Sequence, residues 1–535
     1  MLMLEACANT EVHCGITRHH FKVMTRIIGL RLVREGFVSM HIHTVVIIGS
    51  GFGGQCAAKA LLDRGIDDLV ILERRSFLGG TWKQNRYPGA AVDVQSPLYS
   101  IASEPFEWSR MFAEREELER YTDHVLESNG LPARTHVDTD VHKIEWAGDH
   151  WTITTSRGDY AAKFVVNASG PLSTPVIPPF PGREKFQGTQ FHTNDWHTEY
   201  DHAGKRVAIV GSGASAAQVI PAIQPDVAQL HVFQRTPHWV MPRHDREFTP
   251  LQRRLLKLEP IRRLVRAGIY WSLETRILGF KYSRTMLKAV AQRTAMKHIE
   301  SQVPNSALRA KVTPDYVIGC KRVLLSNTLY PALGQANVTL HDKNDGISEI
   351  TETGIVTTTG EHVDVDLLVW STGYDATDGV ISYPVIGRDG RALSDVWDPY
   401  PRAYLGTTIP GFPNLFVVTG PNTGIGHTSA IFLIEAQMEY IVRAVDAVEQ
   451  AGATAIEVTA AAEQKYTDTI HREMEGTVWK DGGCHSWYQS KSGHVVAMFP
   501  GFSFTFRRWA KRFRPQEHHI HMAPTVTTTR DEVSA

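Results

Sequence analysis

The stretch Val45-Val-Ile-Ile-Gly49-Ser-Gly51-Phe-Gly-Gly54 decides the fold. Its β-branched start reads as a buried strand, its glycines as a tight turn, and Gln55 to Leu62 after it carry helical spacing. Gly49 permits the turn, Gly51 lets the backbone approach a pyrophosphate, and Gly54 allows close packing of the helix, whose N-terminus offers N–H donors to the anion. Leu69-Val-Ile-Leu-Glu73 is then a second strand. Its terminal carboxylate falls about 20 residues beyond the glycines, where it can accept from ribose hydroxyls. These residues alone leave NAD and FAD open. The loop that follows, with Gly80, Trp82, Tyr87, Gly89 and Asp93, is too irregular for a simple third element, which favours FAD with Trp82 and Tyr87 shaping a ring pocket.

Further along the chain the arrangement repeats. Arg206-Val-Ala-Ile-Val210 leads into Gly211-Ser-Gly213-Ala-Ser-Ala216, with Ala216 at the third glycine position. The next strand ends at Gln234, where the first unit has Glu73, and Arg235 and Thr236 follow. A carboxylate there would repel a 2'-phosphate, whereas a guanidinium can pair with it and a hydroxyl can add a hydrogen bond. NADPH is therefore expected at the second unit. The expected fold class is α/β, with two Rossmann-like dinucleotide-binding domains and a helical insertion in the second.

Between the two glycine turns lies Phe186-Gln-Gly188-Thr-Gln-Phe-His192-Thr-Asn-Asp-Trp196. It resembles the F-x-G-x-x-x-H-x-x-x-W signature of Baeyer-Villiger monooxygenases, and Gly80, Trp82, Tyr87, Pro88, Gly89 and Asp93 match a second signature of that family. The related flavin-containing monooxygenases, which oxidise nitrogen and sulfur, usually carry Tyr or Phe where this chain has Trp196. Resemblance runs from about Val45 to about Gly501, taking in Asp366 to Tyr374 and Gly420-Pro-Asn-Thr-Gly-Ile-Gly426-His427 before a long helix. It implies an enzyme that uses FAD, NADPH and O2 to insert one oxygen atom into a ketone, through a flavin peroxide, giving an ester or lactone.

The same resemblance assigns roles. Lys311 to Arg322 is similar to the family region that supplies a cation for this task, so Arg322 is expected to hold the developing negative charge, with Asp93 orienting it. Lys321 is expected to join Arg235 at the NADPH 2'-phosphate. His192, in a connector, is read as coupling the domains in preference to transferring protons. His427 is read as a cap on the helix that follows, whose positive end would face the flavin.

Organisation follows from these landmarks. Residues 1–39 lack clear periodicity and form an extension, with Met40 expected as the true start. Residues 40–172 and 373–514 are expected to form a discontinuous FAD-binding domain and 173–372 the NADPH-binding domain. Phe248 to about Ala310 interrupts the latter as a helical insertion, with Leu255, Leu258, Ile261 and Leu264 at helical spacing. Its basic residues are read as a solvated face in preference to a membrane surface. Residues 515–535, rich in Thr, His and charge, are expected to be a disordered tail.

Composition excludes other classes. The 535 residues carry 56 Lys and Arg against 57 Asp and Glu, so no global field gathers nucleic acid. No run of about 18 apolar residues suggests a membrane span. The five cysteines, Cys7, Cys14, Cys56, Cys320 and Cys484, form no C-x-x-C pair for a metal or a dithiol, which fits a reducing cytoplasm. A pyridine-nucleotide disulfide reductase needs a redox partner for Cys56, and none lies near it in sequence. An N- or S-oxygenating monooxygenase, with sulfide oxidation as a side activity, and a catalytically idle flavoprotein remain as alternatives; Arg322 and Trp196 argue against the first, and intact Asp93, Lys321 and Arg322 against the second. Linear, cyclic and aryl ketones all stay open as substrates, and the residues do not reveal an oligomer.

Overall fold

Strand Ile42–Ile48 is the spine of the larger sheet in the computed structural model, which describes residues 40–523. The extension 1–39 and the last twelve residues lie outside the described part. Ile42–Ile48 pairs in parallel with Leu69–Leu72 on one side and Gly158–Asn167 on the other. Such a strand is covered on both faces and so reads as a continuous apolar run. Side chains alternate across it: Val45 and Ile47 enter one core, Val46 and Ile48 another. Trp151–Thr155 and Val141–Trp146 extend the sheet antiparallel, and Leu415–Val417 pairs in parallel with Gly158–Asn167. A segment from late in the chain therefore completes the sheet that the first strand begins.

The second sheet is parallel throughout, in the order Val338–His341, Gln229–Phe233, Arg206–Val210, Leu367–Trp370, Thr189–His192. Its central strand repeats the logic of the first, with Val207 and Ile209 facing one core and Ala208 and Val210 the other. The fold is α/β with two Rossmann-like units, as the paired glycine turns imply.

Between Val240–Met241 and Leu324–Leu325, which pair in parallel, the chain makes the expected helical insertion. Its main helices are Pro250–Leu256, Glu259–Glu274, Arg293–Gln302 and Ser306–Val312. The first opens on a capping box, Thr249 with Gln252, and a proline at its first position.

Two expectations are corrected. The segment after Arg514 is ordered as far as residue 523: His518–His521 pairs antiparallel with Ala455–Val458, and Tyr440 and His518 share a 2.7 Å hydrogen bond. Pairing to a distant strand supplies the order that composition does not show. Second, Cys320 and Cys484, 164 residues apart, form a disulfide, so the argument for a reducing compartment from unpaired cysteines loses its support. Cys56 is buried and free.

Candidate active site

The first glycine turn opens into a cavity of about 220 Å³. Gly49, Gly51, Glu73, Gly80, Trp82 and Thr419 are among its lining residues. Glu73 sits at the end of its strand, 7% exposed, and ties the turn together: Oε2 accepts from the Ser50 amide at 3.0 Å and the Ser50 hydroxyl at 2.7 Å. The backbone has no room for side chains here. A Cβ on Gly54 would lie 2.0 Å from the Gly49 carbonyl oxygen, and one on Gly80 would lie 2.6 Å from the Gly51 Cα. Ala430, Ile431 and Ile434 line the same cavity, which brings the start of the long helix Ala430–Ala451 to it. Just before that start the buried hydroxyls of Thr428 and Ser429 have no protein partner. A glycine cradle and orphaned polar atoms beside a helix N-terminus fit an FAD.

Trp82 donates Nε1 to the Tyr99 hydroxyl at 3.2 Å, and both line the cavity. Tyr87 does not line it. Its hydroxyl instead donates to Gln218 Oε1 at 3.0 Å, on the helix Ala214–Ile223 of the second glycine turn. Gln218 in turn donates to the Ala91 carbonyl at 2.9 Å, and a Cβ on Gly89 would lie 2.6 Å from the Gln218 carbonyl oxygen. The Tyr-Pro-Gly loop thus joins one nucleotide unit to the other.

At the second turn Ala216 is fully buried within its helix, while the space around Gly213 is open for 4 Å. Ser212 donates its hydroxyl to the Thr236 carbonyl at 2.8 Å, fixing the start of the loop that carries Arg235 and Thr236. Gln234 is turned inward, donating to the Lys311 carbonyl at 3.0 Å, and Arg235 is exposed. Burial lowers the pKa of Lys321, the Arg235 charge lowers it further, and Asp315 opposes them. Two cations that repel each other beside an open glycine turn suit a doubly charged phosphate.

Arg322 and Asp93, 229 residues apart, meet as a fork: Nε donates to Oδ2 at 2.9 Å and Nη2 to Oδ1 at 2.5 Å. Burial works against the Asp93 carboxylate, but the Arg322 charge and hydrogen bonds, with Arg243 behind them, outweigh it and hold the carboxyl below its ordinary range. The Asp93 charge in turn raises the guanidinium pKa against burial. Both groups stay charged. Arg322 and Asp93 also act electrostatically on Tyr99, at the cavity wall, and on Tyr488.

His192 ends the strand Thr189–His192, its Nδ1 accepting from the Asn194 amide at 3.0 Å. Burial lowers its pKa to about 4, opposed by the Gly373 backbone. It is therefore neutral at neutral pH and suited to the coupling role. Asn194 links onward: its carbonyl accepts from Gln84 at 2.5 Å and its Oδ1 from the Tyr374 hydroxyl at 3.0 Å. Gly188 is demanded by packing, since a Cβ there would lie 2.5 Å from the Phe186 ring.

His427 is not the helix cap expected of it. The cap position is Ser429, and His427 is buried with Nε2 3.2 Å from Glu274 Oε1, on the helical insertion. Glu274 also accepts from the Ser503 amide at 3.2 Å. Gln218, Tyr488 and Glu274 escaped the sequence reading, because each meets its partner across more than a hundred residues and carries no local pattern.

Fold and site define a two-nucleotide oxidoreductase with a guanidinium fixed by a carboxylate, whose charge is felt at Tyr99 on the cavity wall and at Tyr488. A family model described as pyridine nucleotide-disulphide oxidoreductase matches residues 46–257. A Baeyer-Villiger monooxygenase from Pseudomonas aeruginosa is 42% identical over 493 residues, 91% of this chain and 93% of that protein. An FAD-binding monooxygenase from Aspergillus niger is 32% identical, covering 88% of this chain and 80% of that protein. The solved cyclohexanone monooxygenase from Rhodococcus sp. Phi1 bound to NADP+ superposes with a TM-score of 0.81 at 28% identity, over 91% of this chain and all of that one. The chain belongs to the Baeyer-Villiger monooxygenase family.

Proposed function

We propose that the protein is an FAD- and NADPH-dependent monooxygenase that inserts one oxygen atom of O2 into a ketone to give an ester or lactone. The observation that carries this reading is the fork of Arg322 on Asp93: a permanently charged guanidinium, held in one orientation, with Nη1 free of protein partners among the described residues. Residues 40–172 and 373–514 would hold FAD, through Gly49, Gly51, Gly54, Glu73, Gly80 and Trp82. Residues 173–372 would hold NADPH, through Gly211, Gly213, Ala216, Arg235, Thr236 and Lys321.

When bound, FAD accepts hydride from NADPH and activates O2. The chain supplies binding and charge. Arg322 holds the negative charge that gathers on the substrate's carbonyl oxygen, a stabilisation worth about 3 kcal/mol per donor at comparable sites. Asp93 is a positioning residue that keeps the guanidinium plane fixed. Trp82 and Tyr99 wall the cavity and exclude water from it. Tyr87 and Gln218 hold the two nucleotide units in register.

Aerobic incubation with NADPH, 18O2 and a mixed panel of ketones and sulfides tests the reading. The expected product is a labelled ester or lactone from at least one ketone. Sulfoxides alone would assign an S-oxygenating enzyme, and hydrogen peroxide alone an idle flavoprotein. Either outcome overturns the proposal.

A further inference from the structure

The outer face of the helical insertion is apolar where a solvated helix carries charge. On the helix Glu259–Glu274, Leu264, Ala267, Gly268 and Trp271 follow one another at i, i+3, i+4 and i+7, and all four are exposed. Leu264 is 73% and Trp271 57% exposed. Glu259 and Arg263 pair with each other at its exposed start, but the charges level with and beyond this stripe, Arg266 and Glu274, are turned inward. Arg266 donates to the Pro97 carbonyl at 2.7 Å and the Ser100 hydroxyl at 2.8 Å, and Glu274 is buried against His427 and Ser503. Nine of the seventeen exposed large hydrophobic side chains among the described residues fall between 251 and 290, a concentration that scattered surface apolar residues do not produce.

The patch is continuous and basic. Trp271 packs on Phe504 at 5.8 Å between ring centroids, Phe504 on Phe502 at 4.8 Å, and Phe502 on Tyr282 at 6.4 Å. Residues 250–293 hold eleven Lys and Arg against two acids, Glu259 and Glu274, in a chain whose net charge is −1. Several of these bases pair locally, but Arg254, Lys288 and Arg293 are exposed and make no ion pair among the described residues. Among the described residues no helix is long and apolar enough to cross a membrane.

We propose that this face docks the protein peripherally on an anionic lipid bilayer, with Leu264, Trp271 and Tyr282 in the interface and the cations on lipid headgroups. A solvated face, as read from the sequence, would not put its leucines and tryptophan outward. A second copy of the chain on the same face would set the unpaired, exposed Arg254, Lys288 and Arg293 against their counterparts, which like-charge repulsion disfavours. From the patch, Tyr270 packs on Phe432 at 4.8 Å, one residue from the Ile431 that lines the flavin-side cavity. Docking would thus place the approach to that cavity beside the apolar phase.

Flotation of the full-length, flavin-loaded protein with vesicles of phosphatidylcholine, with and without phosphatidylglycerol, tests this. The protein is expected to float with the anionic vesicles at low salt and to be released as salt rises. Leu264→Gln with Trp271→Gln should lower the partition coefficient about tenfold or more. Arg254→Gln and Lys288→Gln should each lower it about fivefold. All variants should retain NADPH oxidation and circular dichroism of the unaltered protein. Wild-type protein that stays unbound at low salt, or variants that float as it does, overturn the proposal. A dimer that forms on this face without vesicle binding, and is lost in the double variant, assigns the face to a second copy and overturns it equally.

Discussion

Arg322 and Asp93 are joined by two parallel hydrogen bonds of 2.9 and 2.5 Å, so the guanidinium plane is set by a carboxylate 229 positions earlier in the chain. Arg322→Ala should leave FAD bound while lowering ester formation about a hundredfold to a thousandfold. Arg322→Lys should recover little, because a point charge on a flexible stem does not reproduce a planar fork. Stopped-flow and product analysis should show NADPH diverted into hydrogen peroxide. Ester formation near the wild-type rate in Arg322→Ala would remove the basis of the proposed mechanism.

Arg235 and Lys321 repel each other across the proposed phosphate site. Arg235→Ala should weaken use of NADPH about tenfold to a hundredfold, with little change for NADH, since one charge-assisted contact is worth about 1.5 to 3 kcal/mol. Lys321→Ala should act in the same direction, and the double variant should prefer neither coenzyme. Steady-state KM values for both coenzymes check this, and equal losses with NADPH and NADH would refute the assignment.

The glycines separate folding from binding. A Cβ on Gly54 meets the Gly49 carbonyl at 2.0 Å, whereas one on Gly213 meets nothing within 4 Å. Gly54→Ala should therefore yield protein poor in flavin. Gly213→Ala should fold and stay yellow yet show a raised KM for NADPH, because its methyl occupies space open only until the coenzyme binds. Flavin content by absorbance and coenzyme titration distinguish the two.

These turns were readable in advance because strand, turn and flanking acid or cation are close in sequence, where hydrophobic period and turn chemistry act. The Arg322 and Asp93 pair was reached only through family resemblance. His427 was misread for the same reason that the turns were read well: a polar residue before a helix satisfies a local capping rule, and nothing local announces Glu274, 153 residues away. Cys320 with Cys484 and Tyr87 with Gln218 are likewise long-range meetings. Such contacts depend on how sheets and insertion stack, which no window of neighbouring residues contains.

His192, His231 and His238 have pKa values lowered to about 4, each chiefly by burial. A group whose folded pKa lies below its unfolded value near 6.5 binds its proton more readily in the unfolded chain as pH falls. The stability these residues allow is therefore present above about pH 6.5 and is lost progressively toward pH 4. Melting temperature should fall with acidification through that window. Substitution of His192 by Gln should flatten the slope, and an unchanged slope would show that its burial is relieved before global unfolding.

Glu274 and His427 are almost fully enclosed, so removing one partner strands the other. Glu274→Ala should cost about 3 kcal/mol and loosen the turn before Ala430, lowering flavin retention as well as melting temperature. Glu274→Gln, which keeps an acceptor, should cost less. Flavin retained at the wild-type level in Glu274→Ala would separate the insertion from the cofactor turn.

The disulfide joins two segments that are made at different times. Cys320 immediately precedes Lys321 and Arg322, while Cys484 lies in the last tenth of the chain; between them the Val317 amide donates to the Gly482 carbonyl at 3.0 Å. A ribosome that has just exposed Arg322 has not yet supplied the segment to which its loop is tied. An unfinished chain can thus own its coenzyme turns and the Arg322–Asp93 pair while the loop that carries Arg322 still lacks its covalent tie to the later segment.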